Sequence, residues 1–293
     1  MRLERSAVRQ IGLPSRRLAV LRFARPHVAL LAGMYTAFGA ILARTDWLRY
    51  GSEVLRAAIV IGLIVAFGFI INDYHDADLD RRSKPYRAIP SGRVSERFAL
   101  LLACIAAAAA LLVAASIDVR AAAAALALVA CSAVYSYFLK ATLLMGIATV
   151  AVLNVSTVLY GCLAVGAVSP AALMLAVFAF LNAAAQETLY NLVDREEDAR
   201  YSILTTAVRL GPQRTILLFA VLTLACAAAS LVPWVIHLGS PLYIWAALPC
   251  TTLPLLGLVL FVWRDRTQDS YTRAHTLMKL VRLSSVVPVL LLR

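Results

Sequence analysis

Residues 57–80 read AAIVIGLIVAFGFIINDYHDADLD. With its flanks, the apolar run covers 54–73 and is long enough to cross a bilayer core as a helix. It ends abruptly in Asp73, Asp76, Asp78 and Asp80, and the cations Arg81, Arg82, Lys84 and Arg87 follow at once. A helix that is apolar all round must be buried or lie in lipid. The rest of the chain chooses between these, because the pattern recurs too often for a soluble core to absorb it. Of 293 residues, 62% are hydrophobic and 15% charged, against roughly 25% charged in soluble domains. Nine spans are expected, near 27–44, 54–73, 98–116, 121–138, 143–167, 170–190, 215–237, 241–263 and 275–292. The fold class is therefore all-α: a polytopic bundle of nine transmembrane helices.

Charge sets the expected orientation. With the N-terminus in the cytoplasm, all but five of the 28 Lys and Arg residues fall on the inner side, as the positive-inside rule requires. Arg44, Arg49, Arg56, Arg120 and Arg293 are the exceptions, and the C-terminus lies outside. This makes a multi-pass protein of the cell membrane. The formal net charge of +12 reflects topology and attraction to anionic membrane lipids, and no nucleic-acid partner is expected. The layout is a basic cytoplasmic segment (1–26) followed by one membrane domain (27–293). Within that domain, 27–140 and 141–263 are two four-helix halves and 264–293 is the ninth helix. The five cysteines all fall inside spans with no CxxC pair, so they read as small apolar residues.

Acidic residues are scarce, and most fall in two places. The second is the end of span 6 and its sequel, ETLYNLVDREEDARYSILTTAVRLG, residues 187–211. Both clusters sit at the inner end of an outside-to-inside helix and lead into a basic loop. Asn72, Asp76 and Asp80 recur every fourth residue; so do Asp194 and Asp198, with Asn191 and Glu187 one and two turns earlier. Side chains so spaced are neighbours on a helix face, and like charges there repel, more so near a low-dielectric boundary. A cation between them reverses the sign. Carboxylates with amide oxygens suit Mg²⁺, which keeps coordination sites for water and phosphate. Cysteine and paired histidine ligands are missing, which argues against zinc. Arg25, Lys84, Arg87 and Lys140 stand on the same side. Carboxylates that hold metal beside Lys and Arg describe a site for a diphosphate. Inside a helix bundle the rest of that ligand is apolar, as in a prenyl diphosphate. A cation transporter is disfavoured, since such sites lie near the bilayer midplane and mid-span charges are nearly absent here.

These residues resemble the UbiA superfamily of intramembrane prenyltransferases. NDYHDADLD (72–80) is similar to its NDxxDxxxD signature, and KPYRAIPSGRVS (84–95) to the KPxRPxxSGxxS that follows. DREED (194–198) resembles the second DxxxD, LTTAVRLG (204–211) the segment after it, and YSYFLK (135–140) the YSxxLK that ends span 4. The resemblance implies an enzyme with nine helices around a central cavity and a polar cap facing the cytoplasm. The expected activity is Mg²⁺-dependent transfer of an isoprenoid from a prenyl diphosphate to an aromatic or lipid-like acceptor. By motif match, Asn72, Asp76, Asp80, Asp194 and Asp198 serve the metal and Lys84 and Arg87 the diphosphate; by spacing and side, Asn191 joins the metal set and Arg25 and Lys140 the diphosphate set. Asp73, Glu187 and Tyr135 are the catalytic candidates, for proton uptake and for an aromatic face near the carbocation. The sequence departs from the family pattern at RPHV (25–28), where Val28 replaces Asn, and at Ile147, which replaces the Asn after Gly146. Asn154, about two turns further on the same face, is the polar residue left for an acceptor pocket. Loss of the Asn at 147 also keeps open an intramembrane terpene cyclase, in which the cation attacks its own chain.

Overall fold

The computed structural model describes residues 23–292, so most of the basic N-terminal segment, Arg22 included, and Arg293 lie outside the described residues. Within them the chain is all-α. Helix α1 is Pro26–Ala43, α2 Gly51–His75, α3 Ala77–Ser83, α4 Glu96–Ala115, α5 Val119–Val134, α6 Met145–Ala164 and α7 Pro170–Arg200. Helix α8 is Thr206–Ala229, α9 Val232–Val235, α10 Tyr243–Ala247, α11 Leu253–Arg264, α12 Gln268–Ser284 and α13 Val286–Val289. A π-helical turn, Tyr135–Leu139, prolongs α5, and another, Leu248–Thr252, joins α10 to α11. Polar side chains start the helices where the sequence leaves a loop. Ser95 accepts from the Phe98 N–H, Asp118 from Ala121, Ser169 from Ala172 and Thr267 from Ser270, each satisfying an N–H that has no partner within its helix.

Eight helices among the described residues are long and apolar enough to cross a membrane. The ninth expected span, 275–292, falls short of that measure. It is made of α12, which starts earlier at Gln268 and carries Arg273, His275, Lys279 and Arg282, followed by the short α13. Two other boundaries differ from the sequence reading. Helix α7 runs on to Arg200, because charge ends a membrane span without ending a helix. The segment 204–211 is also partly helical: α8 begins at Thr206 and breaks at Gly211 (φ 75°), and Pro212 starts its membrane portion.

Leu, Val, Ile and Trp side chains are exposed all round the bundle, as lipid-facing surface is. Apolar burial cannot drive helices together in lipid, so close backbone packing must. Ala99, Ala103, Ala106, Ala110 and Ala114 form one fully or nearly buried stripe of α4, which packs on α2. Gly39 of α1 lies against the Val158 carbonyl of α6, and Gly161 of α6 against the Thr36 carbonyl of α1. A side chain at either glycine would occupy the space of the opposite backbone. Hydrogen bonds between helices add to this packing: Tyr160 donates to the Ala121 carbonyl at 3.0 Å and Ser169 to that of Leu42 at 2.7 Å. The result is a bundle whose polar cap lies at one end, where α2, α5 and α7 finish.

Candidate active site

The cap is assembled from helix ends. Helix α2 carries Asn72 and Asp73 and closes at Asp76, which is both its last cap and the first cap of α3. The chain turns there but keeps near-helical angles (φ −82°, ψ −2°), so Asn72 still reaches Asp76. Its amide nitrogen donates to the carboxylate at 3.1 Å. Asp80 follows on α3 and is buried. On the other side of the cap, the long α7 presents Glu187, Tyr190, Asn191, Asp194 and Asp198 on consecutive turns. Sequence reading placed Asp194 and Asp198 on one helix face, and α7 continues through both.

The two acidic motifs meet through cations. Arg87 pairs with Asp80 at 2.6 Å and stands 3.8 Å from Asp73. Arg25 pairs with Asp73 at 3.2 Å and lies over the Phe69 ring. Lys140, brought inward by the π turn that ends α5, pairs with Asp76. Lys84 crosses the gap to the second motif and lies 3.5 Å from Asp194 and 3.3 Å from Glu197. Asp198 has no ion pair among the described residues; it accepts from the Thr205 hydroxyl at 3.0 Å. Thr206, next along, accepts from the Leu144 N–H and so ties 204–211 to the loop after Lys140. Gly146 fits under that loop, with no room for a side chain to grow without pushing on the Lys140 carbonyl at 3.1 Å.

Electrostatics in the cap are those of a half-buried ionic network. Burial raises the Asp80 carboxyl above the usual carboxylate range even though Arg87 opposes the shift. Burial also works against the Arg87 and Lys84 charges, but the carboxylates beside them prevail, and both cations are held above their ordinary values. Arg87→Met should leave Asp80 buried and unpaired, and its carboxyl should rise further. A carboxyl whose folded pKa exceeds its unfolded value binds extra proton in the folded state, so stability falls as pH rises through that window. The variant should therefore melt at a higher temperature near pH 5 than near pH 7.5, relative to wild type. A pH–Tm series in detergent checks this; a variant whose deficit is the same at both pH values refutes it.

The catalytic candidates separate by environment. Tyr135, in the π turn, donates to Glu187 at 3.4 Å, and Asn191 donates to the Glu187 carbonyl at 2.8 Å. Glu187 has no cation partner among the described residues, whereas Asp73 has Arg25 and Arg87. Asn154 lies in the middle of α6, away from the cap motifs, and accepts from Arg282 at 2.7 Å. Sequence reading missed Arg282, Glu197 and Thr205. Arg282 had a signal, as a cation inside an expected span. Glu197 stood in the second acidic cluster, but nothing there distinguished it as the partner of Lys84.

The donor set suits a hard cation. It offers carboxylate and amide oxygens, with no thiolate near. Among the described residues no three of His, Cys, Asp and Glu come together closely enough to hold a metal ion. A metal held here takes few protein ligands and needs further oxygens from water or phosphate, which is the habit of Mg²⁺. The residues fit such an ion with a diphosphate beside it.

Known proteins bear on this geometry. Residues 32–283 match the UbiA prenyltransferase family. The digeranylgeranylglyceryl phosphate synthase of Thermococcus kodakarensis is 30% identical over 277 residues, 93% of this chain and 97% of its own. The enzyme of the same name from Halobacterium salinarum is 35% identical over 237 residues, 78% of this chain and 83% of its own. Among solved structures, a UbiA homologue from Archaeoglobus fulgidus bound to GPP and Mg²⁺ superposes with a TM-score of 0.65 at 20% identity. That match covers 93% of this chain and all of the other (100%).

Proposed function

The chain belongs to the UbiA prenyltransferase family, and from that premise we propose that it moves a prenyl chain from its diphosphate to a hydroxyl of a glycerophosphate lipid. The observation that carries the donor half is the cap itself. Two oxygen-rich motifs from distant parts of the chain face each other and are joined by Lys84, with Arg25, Arg87 and Lys140 alongside. The acceptor half is supported by the relatives named digeranylgeranylglyceryl phosphate synthase, which align over nearly the whole chain.

In this reading Asn72, Asp76, Asp80, Asn191, Asp194 and Asp198 hold Mg²⁺, and the cap faces the cytoplasm. When bound, Mg²⁺ neutralises charge on the diphosphate as the allylic C–O bond breaks. Lys84, Arg87, Lys140 and Arg25 share that task by hydrogen bonding to the same oxygens. The apolar bundle keeps water from the carbocation-like carbon. The acceptor oxygen bonds to that carbon, the diphosphate leaves with the electron pair, and the hydroxyl proton passes to Glu187. Glu187 is preferred to Asp73 as base because Asp73 is already paired with Arg25 and Arg87, whereas Glu187 has no cation partner among the described residues. Tyr135 orients Glu187 through its hydrogen bond.

The test is product formation by purified protein from C10, C15 and C20 prenyl diphosphates. The acceptors are a prenylated glycerol phosphate or phenolic acids, each with Mg²⁺ or EDTA. Mg²⁺-dependent ether formation with the glycerophosphate supports the reading. Diphosphate release without acceptor, with a cyclic hydrocarbon as product, replaces it with the cyclase. Glu187→Gln should lower kcat about 10²- to 10⁴-fold while Mg²⁺-dependent donor binding survives; unchanged turnover excludes Glu187 as the base.

A further inference from the structure

Helix α12 carries charge where a membrane helix should not. His275, Lys279 and Arg282 are spaced i, i+4, i+7 and so share one face, over about 10 Å of helix. His275 and Arg282 each address a different element, and Lys279 between them is exposed. His275 packs on the Tyr190 ring of α7, with centroids 5.2 Å apart. Arg282 donates to Asn154 of α6 at 2.7 Å and stands 5.4 Å over the Tyr35 ring of α1. The opposite partners are fixed. Asn154 spends its amide nitrogen on the Val150 carbonyl at 2.9 Å, which turns its oxygen toward Arg282. The Tyr35 hydroxyl is engaged by the Arg282 carbonyl and Ser285.

No carboxylate answers these cations. Among the described residues neither Lys279 nor Arg282 forms an ion pair, whereas Arg25, Lys84, Arg87 and Lys140 in the cap each do. An arginine cannot shed its proton to escape, and a charged side chain at membrane depth is expensive and marks a functional site. One of its five N–H donors is used on Asn154; no carboxylate among the described residues pairs with the guanidinium, and Lys279, one turn away on the same face, is exposed.

We propose that Arg282 and Lys279 bind the anionic phosphate of the acceptor, with Asn154 and Tyr35 holding Arg282 in place. This rests on the glycerophosphate reading above. The stripe begins beside Tyr190, which lies one turn before Asp194 of the second motif on α7. An acceptor phosphate on Lys279 and Arg282 therefore lies below the diphosphate, and the reacting hydroxyl lies between the two. The donor and acceptor anions are held by separate sets of cations, so each substrate is recognised without competing for the other's site.

The experiment measures thermal stabilisation of the purified protein in detergent by a singly prenylated glycerol phosphate and by its dephosphorylated alcohol, without donor. Wild type should be stabilised by the phosphate and little by the alcohol. Arg282→Gln and Lys279→Gln should lose the difference, and Arg282→Lys should regain part of it. In turnover, KM for the phosphorylated acceptor should rise about tenfold or more in Arg282→Gln, with the donor KM unchanged. The proposal is overturned if the variants bind the phosphate as wild type does, if phosphate and alcohol binding are lost together, or if the phosphate does not stabilise wild type. Binding that depends on Arg282 without any ether product leaves this site standing and removes the transfer reading. Ether formation indifferent to Arg282 does the reverse.

Discussion

Asp194→Ala is expected to lower kcat/KM for the prenyl diphosphate by about 10³-fold, the scale on which loss of a transition-state charge stabiliser registers. Asp76→Ala should match it. The two residues come from different halves of the sequence, but the cap unites them: Asp76 meets Lys140 and Asp194 meets Lys84. Each substitution removes a carboxylate proposed to hold metal; Asp76→Ala also leaves Lys140 without its counter-ion, whereas Lys84 keeps Glu197 in Asp194→Ala. The expected signature is loss of turnover at every Mg²⁺ concentration, with the folded protein retained. Diphosphate release in a stopped assay, beside circular dichroism of both variants, is the measurement. Turnover within tenfold of wild type in Asp194→Ala would remove the second motif from the site. The double variant should be little worse than either single one, because residues that act as a unit are not additive.

Gly161→Val is expected to abolish the folded state altogether. The side chain would have to stand where the Thr36 carbonyl of α1 now is, and the Ala40 N–H lies within 2.9 Å of the same point. Both obstacles are backbone, so no rotamer change relieves them and α1 must move away from α6. Gly39 faces the Val158 backbone at the same crossing, so no shift along the helix axes opens the space either. The protein should be lost from the monodisperse peak on size exclusion in detergent. Gly257→Ala is the control, since a methyl group there meets nothing within 4 Å. A monodisperse Gly161→Val protein with wild-type Tm refutes the close crossing of α1 and α6.

The helical runs were readable because bilayer thickness imposes a length and lipid an apolar composition. The acidic motifs were readable for the converse reason: charge at a helix end is conspicuous in such a chain. The features that escaped depend on the third dimension. Helix α7 outlasts its apolar run by about three turns, and hydropathy marks where lipid ends, with no sign of where a helix ends. Helix α12 was taken for an ordinary span from 275, and its cations were counted only as topogenic charge. Their meaning lies in the meeting of Arg282 with Asn154, residues 128 positions apart. Gly161 is one glycine among several in the apolar runs, and only the approach of α1 distinguishes it from Gly257. Asn154 was singled out by its place on α6, but its partner was not.

Lys84 has a consequence for the resting molecule. Its ammonium lies between Asp194 and Glu197, and Lys140 lies against Asp76. Two lysines thus already stand against three carboxylates before any substrate arrives. On the proposed reading, loading the site would exchange charge partners: the lysines would pass from carboxylate to phosphate, and the carboxylates would be left to hold the metal.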